Sequence, residues 1–230
     1  MIGVRLAELN IGIENQYDYI EKMCRGYLTD EACDFSVSAS ESEIEAEDKG
    51  NHSDRGYLES LAVYRKIAEI LPEYNGFLLH GVVMDFNGCG IAFLARSGVG
   101  KSTHARLWCE LFGDNVKIIN GDKPLLRIIG NKAFAYGTPW AGKENQHINA
   151  KTELKKICFI ERGIENQCIK LEKETVFERL INQIYFPKDN AMLLKTLEIL
   201  NDLIEHSEFY LIKCNKDISA AKTAAEGIGV

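Results

Sequence analysis

Apolar positions over residues 4–38 come in short bursts. Residues 4–13 are apolar-rich and read as strand, residues 17–27 read as a helix, and Phe35-Ser-Val-Ser alternates as a strand does. Residues 41–54, ESEIEAEDKGNHSD, carry almost no large apolar side chain and predict a solvated acidic loop. Beyond it Tyr57, Leu61, Tyr64, Ile67, Ala68 and Leu71 recur at spacings of three and four. That period predicts a helix with one buried stripe, capped by Ser53 or Asp54 and ended by Pro72 and Gly76.

From residue 77 the pattern becomes that of strands. Residues 77–85 and 89–95 flank Asn87-Gly88, a strong hairpin turn pair, and predict two antiparallel strands. A glycine-bearing loop and a helix running to residue 112 follow, then the apolar strand Val116–Asn120. PLLRII and KAFAYG form a second hairpin about Gly130-Asn131. Residues 154–159 predict a strand, 176–185 and 191–206 two helices, 209–214 a strand, and an Ala- and Lys-rich stretch a last short helix. Helices and strands intermix, while the hairpins impose antiparallel pairs. The fold class expected is α/β with a mixed sheet rather than a purely parallel doubly wound one. Residues 1–54 read as a small unit of strands and helix packed on the core, and residues 55–230 as the main domain.

The chain has 230 residues, 46% of them hydrophobic, which is ample for a core. Lys and Arg number 27 against 34 Asp and Glu, a net charge of −7 that argues against nucleic acid as the main partner. A local basic pocket for a phosphate ligand stays open. No apolar run approaches the length of a membrane span, and Arg5 and Glu8 break any signal-peptide core. The seven cysteines are odd in number and scattered without a C-x-x-C, as befits reduced thiols of a cytoplasmic protein. The C-terminal apolar helices read as core or as an interface, which leaves a homo-oligomer open.

The chemistry concentrates in Ala95-Arg96-Ser97-Gly98-Val99-Gly100-Lys101-Ser102-Thr103. The phosphate-loop pattern is G-x-x-x-x-G-K-[ST], with Ala95 standing here where the first glycine would be. Gly98 and Gly100 let the backbone curl so that successive N–H groups face a polyphosphate. The following helix adds its N-terminal donors, Lys101 can neutralise phosphate, and Ser102 can ligate Mg²⁺. A lysine at a helix start opposes the helix dipole, which disfavours a merely structural turn. Residues Ser97, Gly98, Val99, Gly100, Lys101, Ser102 and Thr103 are therefore the candidate nucleotide-binding set. A carboxylate at the end of a neighbouring strand is also needed. Asp122, directly after Val116–Asn120, supplies one, although N-G-D-K is also a turn sequence. His104 and Trp108 lie four apart and read as packing on their own helix.

Together, LLHGVVMDFNGCGIAFLARSGVGKS resembles the catalytic core of HPr kinase/phosphorylase, a fold shared with ATP-dependent phosphoenolpyruvate carboxykinase. The resemblance covers residues 77–128 and extends to the rest in outline. It implies a phosphate-loop kinase fold with a small N-terminal α/β extension. It implies further that ATP and Mg²⁺ are used to phosphorylate a hydroxyl, a protein or peptide seryl group first and a small-molecule alcohol second. By position Asp122 is similar to the aspartate that acts as base in the HPr kinases and as metal ligand in the carboxykinases. Ser102 matches the metal-binding hydroxyl, Thr103 replaces a glutamate, and His80 matches the active-site histidine that opens the hairpin. The chain departs from the family in carrying Gly121 where a first acid stands. It also lacks a counterpart of the family's separate N-terminal domain and of its second signature loop. Gly137–Glu144, GTPWAGKE, resembles a segment of small HPr-kinase-like bacterial proteins. It reads as a loop able to close over substrate or as a solvated connection, with Trp140 covering an adenine ring or anchoring the loop. The rival function is a nucleotide-binding sensor that transfers no phosphate, and a parallel-sheet NTPase is disfavoured by the hairpin ahead of the loop.

Overall fold

The computed structural model describes residues 1–50 and 52–230. At the N-terminus β1 (Ile2–Leu6) pairs antiparallel with β2 (Leu9–Glu14). After α1 (Tyr19–Met23), β3 (Phe35–Ser38) joins β2 in parallel. The helix expected over 17–27 is thus only five residues long, followed by a 3-10 turn, Arg25–Tyr27. The acidic segment is not all loop. α2 (Glu41–Ala46) forms because Ser40 and Glu43 make a reciprocal capping box and Ile44 is fully buried. Position 51 of that segment lies outside the described residues.

α3 (Arg55–Ile70) starts on the Asp54 carboxylate, which accepts the Tyr57 N–H at 3.1 Å. Its buried surface is wider than one stripe and includes Leu58, Ala62, Val63, Tyr64 and Ile67, because the helix is packed between the small sheet and the main one. Tyr57 is left 42% exposed, against the expectation of burial. One hydrophobic cluster runs through β1–β3, α2 and α3 to Leu125, Tyr136 and Trp140.

The main sheet has nine strands. Its path is β4 (Gly76–Leu78), β8 (Leu125–Ile129), β9 (Lys132–Tyr136), β10 (Lys151–Arg162), β6 (Cys89–Leu94), β5 (Val82–Phe86) and β7 (Val116–Asn120). β12 (Glu208–Cys214) adds in parallel to β10, and β11 (Gln167–Leu171), which the sequence pattern did not mark, pairs antiparallel with β12. Asn87-Gly88 turns β5 into β6 with φ of +51° and +84°. The strand expected over 77–85 is instead two strands. At His80-Gly81 the backbone leaves the sheet: the His80 N–H donates to the Gln183 carbonyl at 2.7 Å and the Gly81 N–H to the Asp122 carbonyl at 2.9 Å.

α4 (Lys101–Phe112) and α7 (Ser219–Ile228) cover one face of the sheet, while α5 (Phe177–Leu180) and α6 (Asn190–His206) lie on the other. Alternate residues of each strand serve the two faces: Ile91 and Phe93 of β6 pack towards α4, Ala92 and Leu94 away from it. The helix expected over 176–185 is reduced to the single turn of α5 between 3-10 segments. None of the described helices is long and apolar enough to cross a membrane.

Topology decides where chemistry can gather. β6 and β7 each pair antiparallel with β5, so they point the same way, and β10 runs parallel to β6. The C-terminal ends of β6, β7 and β10 and the entry to β5 therefore share one edge of the sheet. Ligands of parallel α/β arrangements bind beyond that edge.

Candidate active site

β6 delivers the chain into the loop 95–100, and α4 takes it up. Gly98 and Gly100 sit at φ of +77° and +133°, a region L side chains rarely enter, so the glycines are what permits the curl. The first N–H of α4 to bond back is that of His104, to the Gly100 carbonyl at 2.9 Å. The helix start leaves the N–H groups of Lys101, Ser102 and Thr103 as donors for a ligand.

The loop opens on a cleft of about 1160 Å³. Ser97, Gly98, Gly100, Lys101, Ser102 and Thr103 line it, and His80 and Asp122 join them. Val99 does not: its N–H donates to the Arg96 carbonyl at 3.3 Å, its side chain packs against the core, and it lines a second cavity of about 1040 Å³ behind the loop. Arg162, at the end of β10, donates from Nη2 to the Gly98 carbonyl at 2.6 Å and from Nε to the Val99 carbonyl at 3.3 Å. These two bonds tie the carbonyls of the loop to the end of β10.

The Lys101 ammonium is nearly buried, donating to the Ala95 carbonyl at 2.8 Å with His80 Nε2 at 3.4 Å. The same ring nitrogen lies 3.5 Å from Asp122 Oδ1. Burial lowers the lysine's pKa, against the pull of the Asp122 charge. Burial acts on Asp122 in the opposite sense, raising its pKa. The His80 hydrogen bond and the charges of Lys123, His80 and Lys101 outweigh it, so the carboxyl is held below its ordinary range and is ionised at neutral pH.

A buried network sets the turn that carries Asp122. Asn120, fully buried, accepts the N–H groups of Asp122 and Lys123 on Oδ1 at 2.9 and 2.7 Å. Its Nδ2 donates to the carbonyl and hydroxyl of Thr138, both at 3.0 Å. Tyr64 donates to the Lys123 carbonyl at 2.6 Å. The segment 137–147 then folds back along β7: the Gly121 N–H reaches the Gln146 carbonyl at 2.9 Å, and Gly142 rests on the Asp122 side chain. Trp140 anchors this segment and also lines the cleft. Its ring stacks on Tyr64 with centroids 4.1 Å apart, and its Nε1–H donates to the Ser60 carbonyl at 3.0 Å. His147 pairs with the Tyr27 hydroxyl at 2.9 Å, tying the segment to the N-terminal unit.

Among the described residues no group of three or more His, Cys, Asp or Glu forms a metal site. A magnesium ion that arrives with a polyphosphate needs only one or two protein oxygens, since phosphates and waters complete its shell. The Ser102 hydroxyl and the Asp122 carboxylate, on one cleft, are donors of that kind.

No family model matches the sequence, and no curated protein matches it. Among solved structures, the Hpr(Ser) kinase/phosphatase from Coxiella burnetii is similar over 55% of this chain and 90% of that one, at 12% identity and a TM-score of 0.31.

The fold thus brings Lys101, His80 and Asp122 together, with Ser97, Gly98, Gly100, Ser102 and Thr103 around the same cleft. His104 and Trp108 pack on their own helix as expected, the indole donating to His104 Nε2 at 3.1 Å. Sequence reading missed Asn120, whose signal is an Asx turn in N-G-D. It also missed Arg162, the Gln183 carbonyl that holds His80, and the cleft wall supplied by α1 and α3. Those three have no local signal.

Proposed function

We propose that this protein is a phosphotransferase that moves the γ-phosphoryl group of ATP, with Mg²⁺, to a hydroxyl, a peptide or protein seryl group before a small-molecule alcohol. One observation carries the reading: a lysine from the loop, a histidine and a strand-end carboxylate meet within 3.4 and 3.5 Å at the mouth of a glycine loop. The loop N–H groups and Lys101 hold the transferred group and neutralise its charge. The Asp122 carboxylate takes the hydroxyl proton as that oxygen bonds to the γ-phosphorus. The bond from phosphorus to the β–γ bridging oxygen breaks, and its electron pair leaves on ADP. His80, whose Nε2 lies 3.4 Å from the ammonium and 3.5 Å from the carboxylate, orients the base. Ser102 and Asp122 would hold the metal, which when bound supplies further charge neutralisation. The second cavity, behind the loop and away from Asp122, is the place for the nucleoside end.

A nucleotide sensor without transfer is the second reading, favoured by Gly121. A Cβ there would sit 3.3 Å from the carbonyls of Ala141 and Gln146, so the first acid of an acidic pair would fit only if a neighbour gave by a few tenths of an ångström. Purified protein with Mg·ATP and a panel of seryl peptides and small alcohols separates the two. Asp122→Asn should keep ATP affinity within a few-fold while lowering transfer on the order of 10²–10⁴-fold. A wild-type protein that binds ATP and phosphorylates nothing in the panel is the sensor.

A further inference from the structure

The cleft has a wall that phosphate chemistry does not need. α1 and the first turns of α3 place Tyr19, Met23, Tyr57 and Leu61 across the cleft from the loop. Tyr19 and Tyr57 are 37% and 42% exposed, their rings meeting edge to face with centroids 6.0 Å apart. Large apolar side chains half-open to water in one concave patch mark a binding surface more than a packing defect.

The wall is firmly built. Gly56 of α3 lies so close beneath α1 that a Cβ there would come within 2.6 Å of Tyr19 Cβ. The buried Glu59 carboxylate accepts the Gln16 and Tyr17 N–H groups at 2.5 and 3.1 Å, fixing the chain just before α1. The two rings therefore stand on a rigid base and are available to a ligand at little ordering cost.

We infer that this wall selects the phosphoryl acceptor, by taking an aromatic or large aliphatic side chain next to the seryl residue of a peptide. The inference rests on the transferase reading and names what that site accepts. His80 and Asp122 line the same cleft as the wall, whereas the second cavity behind the loop touches neither. A ligand group within reach of Asp122 thus has the wall as its neighbour, and the group that must reach Asp122 is the acceptor hydroxyl. Extent favours a peptide: beyond the loop residues that take the phosphates, Tyr57, Leu61 and Lys123 continue the cleft into a further hollow of about 350 Å³ along α3, with room for chain beside the seryl residue.

The test is transfer from labelled Mg·ATP to seryl decapeptides whose neighbouring positions carry Phe, Leu, Ala or Asp, with glycerol and free serine alongside. Peptides with Phe or Leu beside the serine should have kcat/KM roughly tenfold or more above the Ala and Asp peptides. The double variant Tyr19→Ala/Tyr57→Ala should erase that preference by raising peptide KM about tenfold, with the KM for ATP within about twofold. Tyr57→Phe, which keeps the ring, should retain the preference, and thermal melts verify that each variant is folded. Equal turnover of all peptides and small alcohols overturns the inference and leaves the transferase standing, as does a double variant that keeps the preference. A rise in the KM for ATP instead assigns the wall to the nucleoside and also overturns it. Absence of transfer to every acceptor overturns both readings.

Discussion

Gly142 offers a way to move the proposed base without touching it. The residue has φ of +73°, and a Cβ built on it would lie 2.9 Å from Asp122 Cβ and 3.1 Å from its Cγ. Real Cβ contacts begin to be ordinary at 3.4 Å, so Gly142→Ala needs about 0.5 Å of movement from one partner. The left-handed backbone adds roughly 1–2 kcal/mol for an L-alanine. The Asp122 main chain is pinned by Asn120, so relief comes from rotation of the carboxyl group or from lifting of the 137–147 segment. Rotation changes the position of Oδ1 relative to His80 Nε2, from which it now lies 3.5 Å. A misplacement near 1 Å costs on the order of 10²-fold in rate, so the alanine variant should lose about 10–10²-fold in kcat/KM. The loop itself is untouched, so ATP affinity should stay within about twofold. Calorimetric titration with ATP, steady-state transfer assays and urea unfolding measure the three quantities. A double-mutant cycle with Asp122→Asn decides the cause: if Gly142 acts through Asp122, the double variant is no slower than Asp122→Asn alone. Wild-type turnover in Gly142→Ala, or losses that add in full, would refute the reasoning.

Two further outcomes follow from other parts of the molecule. Lys101→Ala removes the cation nearest the loop and should weaken ATP binding at least tenfold by calorimetry, while an unchanged affinity removes the phosphate site itself. His104 is buried neutral, its pKa pushed down to about 4, against about 6.5 in an unfolded chain. Between these values the unfolded chain binds the extra proton. Stability contributed by this group is therefore full above pH 6.5 and lost as pH falls towards 4, by about 3 kcal/mol at most. Urea unfolding at pH 7.5 and 4.5 should show a smaller acid loss in His104→Gln than in wild type, and equal losses would sink the assignment.

What could be read from the chain alone was what short stretches dictate. Gly98 and Gly100 spell out the loop because only glycine enters its φ values freely. Asn87-Gly88 turns a hairpin, and the unbroken apolar run of Cys89–Leu94 marks a strand buried on both faces, each a matter of neighbours a few residues apart. α2 lay within reach too: Ser40 and Glu43 form a capping box, which the acidity of the segment concealed. The 77–85 strand misled because its break at His80-Gly81 is made by partners far along the chain, the Gln183 and Asp122 carbonyls. The site itself is of that second kind. Asp122 joins Lys101 because β5 lies between β6 and β7 and turns both the same way, and Arg162 arrives because β10 runs parallel to β6. Trp140 is held by Tyr64, a stacking partner far along the chain that no local pattern announces. Backbone conformation is decided by local sterics and hydrogen bonding, and so is written in adjacent residues. The meeting of side chains from distant strands is decided by sheet register and burial, which exist only once the chain has closed on itself.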